Sequence, residues 1–106
     1  ASLFVIKGPD QGQRFELDAP VLTIGRDASN RIRLSDTEVS RRHVELRSED
    51  EIYQLTDLNS SNGTFVNNEH TDFAPLKSGD RIQIGRTVLL YTAQSSVPIE
   101  DMSEAV

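Results

Sequence analysis

Short segments in which apolar and polar side chains alternate recur along most of the chain, and turn-forming residues separate them. Residues 14–17 and 52–58 are two clear examples, and Asn67-Asn68 marks one of the turns. A period of two is typical of a β-strand with one buried face, whereas a helix would repeat every three or four residues. The pattern predicts an all-β sandwich of about 10-11 short, mostly antiparallel strands.

The length and composition predict one domain. A chain of 106 residues suits a single domain, and the alternation ends near residue 94, so we predict a domain over residues 1–94 and an acidic tail or linker over residues 95–106. The chain has no cysteine, which is typical of the reducing cytoplasm, and no apolar run long enough to cross a bilayer. We expect a soluble, cytoplasmic module that is part of a larger protein or complex.

The charge of the chain argues against some classes of partner. The formal net charge is −6 at pH 7, whereas proteins that bind nucleic acid or anionic membranes present clustered lysines and arginines. Between residues 26 and 42, however, five arginines stand against three acids, and these arginines are Arg26, Arg31, Arg33, Arg41 and Arg42. Such a small basic stretch fits one phosphate better than a polyanion, so we predict neither a nucleic-acid nor a membrane partner.

Three motifs that suit anion binding lie where predicted strands end. They are Gly25-Arg26, residues 40–43 (Ser-Arg-Arg-His) and residues 59–64 (Asn-Ser-Ser-Asn-Gly-Thr). Arginine presents a planar set of donors that fits phosphate oxygens, serine hydroxyls add neutral donors, and Asn-Gly bends the backbone so that other groups converge. This chemistry binds an anion without transforming it, so we predict a binding site and not an enzyme.

The motifs and their order resemble those of the forkhead-associated (FHA) domain over about residues 3–93. The resemblance rests on Gly25-Arg26, on Ser40 with His43 three residues later, and on Asn62-Gly63-Thr64. It implies a β-sandwich that recognises phosphothreonine in partner proteins through loops at one end of the sandwich. The expected partner is therefore a threonine-phosphorylated protein, with no cofactor and no metal ion.

The resemblance also implies roles for individual residues. Arg26, Ser40, Arg41 and Ser61 would bind the phosphate, with Ser61 using either its hydroxyl or its backbone N–H. Asn62 would bind the main chain of the peptide beside the phosphorylated residue. The residues expected to support the site without touching the ligand are Gly25, His43, Gly63 and Thr64.

The same residues allow three other interpretations. A catalytic pair of Ser40 and His43, oriented by Asp36, is rejected because nothing in the sequence indicates a prepared oxyanion hole. A phosphoryl-cleaving enzyme would need a base or metal near the basic loops, and the carboxylates there (Asp27, Asp36 and Glu38) lack the pattern of metal ligands. The second histidine, His70, is expected in an exposed turn. A structural or oligomerising module of the same fold, without phosphate recognition, remains the alternative.

Overall fold

The computed structural model describes residues 1–93, which contain eleven β-strands and no helix. The prediction of about 10-11 short strands is confirmed. In chain order the strands are β1 (Ser2–Lys7), β2 (Arg14–Glu16), β3 (Val21–Gly25), β4 (Ile32–Arg33), β5 (Val44–Glu49), β6 (Ile52–Asp57), β7 (Thr64–Val66), β8 (Glu69–His70), β9 (Phe73–Pro75), β10 (Arg81–Ile84) and β11 (Thr87–Thr92).

The strands form the two sheets of a β-sandwich, as predicted. The six-stranded sheet has the order β2-β1-β11-β10-β7-β8, and the five-stranded sheet has the order β4-β3-β5-β6-β9. Every pair is antiparallel except β3 with β4, where Ile24 lies opposite Ile32. This parallel pair was not predicted. Because β4 has only two residues, the loop that connects it to β3 has only a short distance to cover.

Alternating burial along the strands defines the core. On β11, Thr87, Leu89 and Tyr91 are buried, and the residues between them are partly exposed. β5 of the other sheet shows the same alternation, with Val44 and Leu46 buried. Leucine, isoleucine and valine supply most of the core, which holds the strand ends in fixed positions.

Two hairpins turn through pairs of residues with left-handed backbone. Asn67 and Asn68, between β7 and β8, have φ angles of 51° and 71°, as their sequence predicted. Asp50 and Glu51, between β5 and β6, have φ angles of 54° and 67°. Asparagine and aspartate tolerate this conformation, but glutamate is poorly suited to it, so the second turn carries local strain.

We expect Glu51→Gly to stabilise the fold by about 0.5 kcal/mol. The substitution relieves the left-handed strain and creates an Asp-Gly turn, although the added freedom of the unfolded chain offsets part of the gain. Urea unfolding measures the change as a higher midpoint. The control is Glu49→Gly, which places glycine at the last position of β5 and should lower the midpoint. A lower midpoint for Glu51→Gly would contradict the strain.

One small strand corrects a prediction. His70 was expected in an exposed turn, and it is exposed, but it belongs to β8 and lies opposite Phe65 of β7. Its ring packs edge-on against Phe65, with the ring centroids 5.3 Å apart. The two-residue strand was missed because Glu-His has no apolar alternation to mark it.

The predicted tail over residues 95–106 lies outside the described residues, and the domain boundary at residue 94 stays a prediction. Residues 1–93 include no helix of the length and apolar character that crossing a membrane requires.

Candidate functional site

The three sequence motifs lie at the same end of the sandwich because of the strand register. Ile24 near the end of β3 lies opposite Val44 at the start of β5, and Val44 lies opposite Asp57 at the end of β6. The loop after β3, the loop before β5 and the loop after β6 therefore emerge side by side. We call these the 26–31 loop, the 34–43 loop and the 58–63 loop.

Arg26 is exposed at the start of the 26–31 loop and is fixed by the neighbouring loop. Its backbone N–H donates to the Ser40 carbonyl at 3.0 Å, and its Nε donates to the Val39 carbonyl at 3.0 Å. No acid among residues 1–93 forms an ion pair with it, and the Asp27 carboxylate instead accepts hydrogen bonds from Ser29. The terminal guanidinium nitrogens of Arg26 are therefore available to an anion.

The 34–43 and 58–63 loops are joined through Ser40. The Ser61 backbone N–H donates to Ser40 Oγ at 3.0 Å, which leaves the Ser40 O–H free to donate elsewhere. The backbone N–H of Ser61 therefore already has an acceptor in this arrangement, and the contact of Ser61 with the phosphate stays a prediction. The hydroxyl of Ser61, an exposed residue, is the donor that remains.

His43 is fully buried and braces the same two loops from inside. Its Nδ1 accepts the Ser40 backbone N–H at 3.0 Å, so Nδ1 carries no proton. The proton is then on Nε2, which donates to the Gly63 carbonyl at 2.9 Å. Both ring nitrogens are occupied by backbone groups.

Asn62 is exposed and tied to the 34–43 loop. Its Nδ2 donates to the Glu38 carbonyl at 2.8 Å. One N–H of the amide and its Oδ1 remain for a ligand, and this pair is what a peptide main chain requires.

Gly25 is buried where β3 meets the backbone of Arg41. A Cβ at this position would lie 2.1 Å from the Arg41 carbonyl oxygen. The same oxygen accepts from the Asp27 backbone N–H at 3.1 Å and from Asn30 Nδ2 at 2.5 Å. Only glycine allows this approach, which holds the backbone at Ser40 and Arg41 against the backbone at Arg26 and Asp27.

Asp57 organises the 58–63 loop, and sequence reasoning did not single it out. Its carboxylate accepts from the Ser60 N–H at 3.0 Å, from Ser60 Oγ at 2.7 Å and from Thr64 Oγ1 at 2.6 Å. Burial alone would raise the pKa of Asp57, but these hydrogen bonds lower it below the ordinary value. The available signal was the Asp-x-x-Ser spacing, which is typical of side-chain-capped turns.

Thr64 and Gly63 also support the 58–63 loop. Thr64 is fully buried at the start of β7 and donates to Asp57. Gly63 has a φ of +84°, and a Cβ there would lie 3.0 Å from the ring of His70. A side chain at position 63 would thus strain the backbone and press on β8.

Asp36 does not orient His43. Its buried carboxylate accepts hydrogen bonds from the backbone N–H groups of Glu38, at 2.9 Å, and Arg86, at 2.7 Å, and from Thr87 Oγ1 at 2.9 Å. It therefore ties the 34–43 loop to the turn between β10 and β11. Within residues 1–93, no group of three or more His, Cys, Asp or Glu side chains is placed to hold a metal ion.

Together, the fold and these loops define a β-sandwich recognition module. Residues 4–95 match the family described as "Inner membrane component of T3SS, cytoplasmic domain", which has an FHA-type fold. A solved FHA domain with phosphothreonine-dependent interactions is 35% identical, with a TM-score of 0.80 over 92% of this chain and 97% of that one. The chain belongs to the FHA family, so the resemblance predicted from the sequence is confirmed.

Two curated relatives are similar over the same region. The glycogen accumulation regulator GarA of Mycolicibacterium smegmatis is 46% identical over 91 residues, which are 86% of this chain and 58% of the relative. The oxoglutarate dehydrogenase inhibitor of Corynebacterium diphtheriae is 45% identical over 92 residues, which are 86% of this chain and 64% of the relative. The chain thus spans about three fifths of the length of these relatives.

Proposed function

We propose that the chain is a non-catalytic module that recognises a phosphothreonine-containing segment of a partner protein. The observation that carries this proposal is the set of loops at one end of the sandwich, held by their own hydrogen bonds while donors remain for a ligand. Arg26 is fixed through Nε, Ser40 keeps a free O–H, and Asn62 keeps one N–H and its carbonyl oxygen. Loops organised in this way lose little conformational entropy when they bind.

The roles follow from charge and from the remaining donors. Arg26 and Arg41 would neutralise a phosphate that carries about −1.5 to −2 charge near pH 7, and Ser40 and Ser61 would donate through their hydroxyls. Asn62 would bind the peptide backbone next to the phosphothreonine. These assignments extend the predictions made from the sequence, with the hydroxyl as the contributing group of Ser61.

The proposal assigns binding and no reaction to the site. A serine nucleophile needs a base that accepts its proton, and His43 cannot serve because Nδ1 accepts the Ser40 N–H and Nε2 donates to Gly63. Ser40 Oγ is instead hydrogen-bonded to Ser61. This geometry supports a recognition module.

The names of the relatives support a regulatory setting. One is a glycogen accumulation regulator and the other is an inhibitor of oxoglutarate dehydrogenase. We propose that this chain likewise acts by binding a phosphorylated protein in the cytoplasm and altering what that protein does. The structural or oligomerising module without phosphate recognition is the alternative that the experiment below separates.

We expect Arg26→Ala to weaken phosphothreonine-peptide binding about thirtyfold, which is about 2 kcal/mol. The change removes the main charge partner of the phosphate, and the backbone hydrogen bond of residue 26 to Ser40 can remain. Calorimetric titration with a degenerate phosphothreonine peptide pool, beside phosphoserine and unphosphorylated pools, measures the effect.

The control for this experiment is Arg47→Ala, on β5 of the five-stranded sheet. Arg47 is exposed and pairs with Glu45 at 3.5 Å, so its loss should change the affinity less than twofold. Unchanged binding by Arg26→Ala would contradict the role of Arg26. Equal binding of phosphorylated and plain peptides by the wild type would favour the alternative module.

A further inference from the structure

A groove lies on the outer face of the six-stranded sheet, on elements that the phosphothreonine site does not use. Its volume is about 320 Å³, and the residues that line it are Lys7, Asn67, Asn68, Arg81, Gln83 and Val88. Val88 and Gln83 lie opposite each other on β11 and β10, between positions whose side chains are buried in the core. The groove is therefore formed by outward-facing side chains.

An irregularity in β1 places Lys7 in this groove. Val5 lies opposite Leu89, but Lys7 lies opposite Val88, so Ile6 is an extra residue and forms a β-bulge. With a regular register Lys7 would lie opposite Thr87, whose side chain is fully buried, and would point into the core. The bulge turns a lysine outward at the edge of the groove, and bulges commonly serve to redirect a side chain in this way.

Hydrogen bonds of Asn67 fix the opposite side of the groove. Its backbone N–H donates to the Arg81 carbonyl at 2.8 Å, and its Oδ1 accepts the Arg81 N–H at 3.0 Å. The Asn67 Nδ2 donates to Asp80 at 2.9 Å. The turn between β7 and β8 is thereby locked against β10 beside Arg81.

The charge of the groove is opposite to that of the chain. Lys7 and Arg81 line it without any carboxylate, and neither forms an ion pair with an acid among residues 1–93, although the whole chain carries a net charge of −6. Beside the groove, Phe4 is 39% exposed and lies opposite Leu90, which is itself opposite Arg81. The surface thus combines two cations with an adjoining apolar strip.

We propose that this groove binds an acidic, partly apolar segment of a partner protein. Carboxylates of the segment contact Lys7 and Arg81, and its apolar side chains pack on Val88, Leu90 and Phe4. In an extended segment the side chains at positions i, i+2 and i+4 lie on the same face, so a segment with two acidic residues followed by two apolar residues presents both kinds of side chain to the groove. Binding requires no phosphate, so the groove is a second site beyond phosphothreonine recognition.

The test is an NMR titration of the 15N-labelled chain at low ionic strength with an unphosphorylated peptide that repeats Glu-Glu-Leu-Leu, which in extended form presents both Glu and Leu on each face. We expect the amide signals of Arg81, Gln83 and Val88 to shift and those of Ser40 and Asn62 to remain. The double variant Lys7→Gln/Arg81→Gln should weaken binding about tenfold, since two exposed ion pairs are lost. The control, Lys77→Gln, removes one positive charge from an exposed turn outside the groove and should leave the affinity unchanged.

Three results would overturn the proposal. They are equal binding of a matched peptide with Gln in place of Glu, unchanged binding by the double variant, and shifts of the Arg81, Gln83 and Val88 signals in the peptide-free chain after Glu100→Gln/Asp101→Asn/Glu104→Gln, which would show that the chain's own acidic residues fill the groove. A phosphothreonine peptide titrated under the same conditions reports on the 34–43 and 58–63 loops separately. Failure of the groove and failure of the proposed function are therefore distinguishable.

Discussion

Replacing Gly25 with alanine is expected to destabilise the fold by about 3 kcal/mol and to abolish phosphopeptide binding at concentrations where the wild type is half-saturated. The added Cβ would lie 2.1 Å from the Arg41 carbonyl oxygen and 2.7 Å from its carbonyl carbon, well inside contact distance. Both atoms belong to the backbone, so no side-chain rotation relieves the clash.

The clash acts on the site because the Arg41 backbone is part of its frame. The Arg41 carbonyl accepts from Asp27 and Asn30, and the neighbouring Ser40 carbonyl accepts from Arg26. A backbone shift that accommodates the Cβ must lengthen or break these bonds. The 26–31 loop and the 34–43 loop would then separate, and Arg26 and Ser40 would no longer meet one phosphate.

Urea unfolding measures the stability of Gly25→Ala, and calorimetry measures its binding. Gly12→Ala is the control: it is the same substitution at a position with nothing within 4 Å and a φ of +99°. Its cost should be about 1 kcal/mol of backbone strain, with binding unchanged. If Gly25→Ala costs no more than Gly12→Ala and still binds, close packing at Gly25 is not what holds the loops together.

The strands and the positions of the binding loops were predictable because their signals are local. Alternation in residues 14–17 or 52–58 reflects one buried face, and the three motifs lie where this alternation stops. The register that brings the motifs to one end follows from antiparallel pairing of β3, β5 and β6. The pairing of the two-residue strands β4 and β8 depends on their neighbours and leaves no local pattern.

The polar side chains that position the loops of the site were less predictable. Asn30 and Asp36 look like ordinary loop residues, and their importance comes from partners farther along the chain, Arg41 for Asn30 and the turn at Arg86 for Asp36. Asp57 differs, because its partners Ser60 and Thr64 are close in sequence. Ser61 shows the same limit, because the occupation of its N–H by Ser40 depends on how two loops meet. Sequence patterns indicate which donors exist, and the three-dimensional arrangement decides which of them stay free.

Asp36→Ala is expected to lower the free energy of unfolding by about 3 to 5 kcal/mol. Three donors lose their acceptor: the N–H groups of Glu38 and Arg86, and the hydroxyl of Thr87, a residue that is fully buried. Asp18→Ala is the control, since Asp18 is exposed and its ion pair within residues 1–93 is with the exposed Arg31, and it should change stability by less than about 0.5 kcal/mol.

The charge of Asp36 also makes stability depend on pH. Burial alone would raise the pKa of Asp36, but hydrogen bonds from Glu38, Thr87 and Arg86, with the charge of Arg86, lower it below the ordinary value of 3.8. The carboxylate therefore contributes stability that is full above the unfolded pKa and is lost as pH falls through the folded pKa. Asp36→Asn removes this titration, so its stability should fall less steeply than that of the wild type below about pH 4.

Asp36 should also affect ligand binding, although it does not reach the ligand. It fixes the Glu38 N–H, and the Glu38 carbonyl in turn accepts from Asn62, the residue proposed to hold the peptide main chain. Asp36→Asn keeps one carbonyl oxygen but presents an NH₂ group either to the Glu38 N–H or to both the Arg86 N–H and the Thr87 hydroxyl, so the Glu38 backbone or the Arg86 turn must shift. We expect the folded variant to bind a phosphothreonine peptide about fivefold more weakly, since one hydrogen bond to the ligand is misplaced. Wild-type affinity and a wild-type pH profile in Asp36→Asn would show that the 34–43 loop is positioned without this carboxylate.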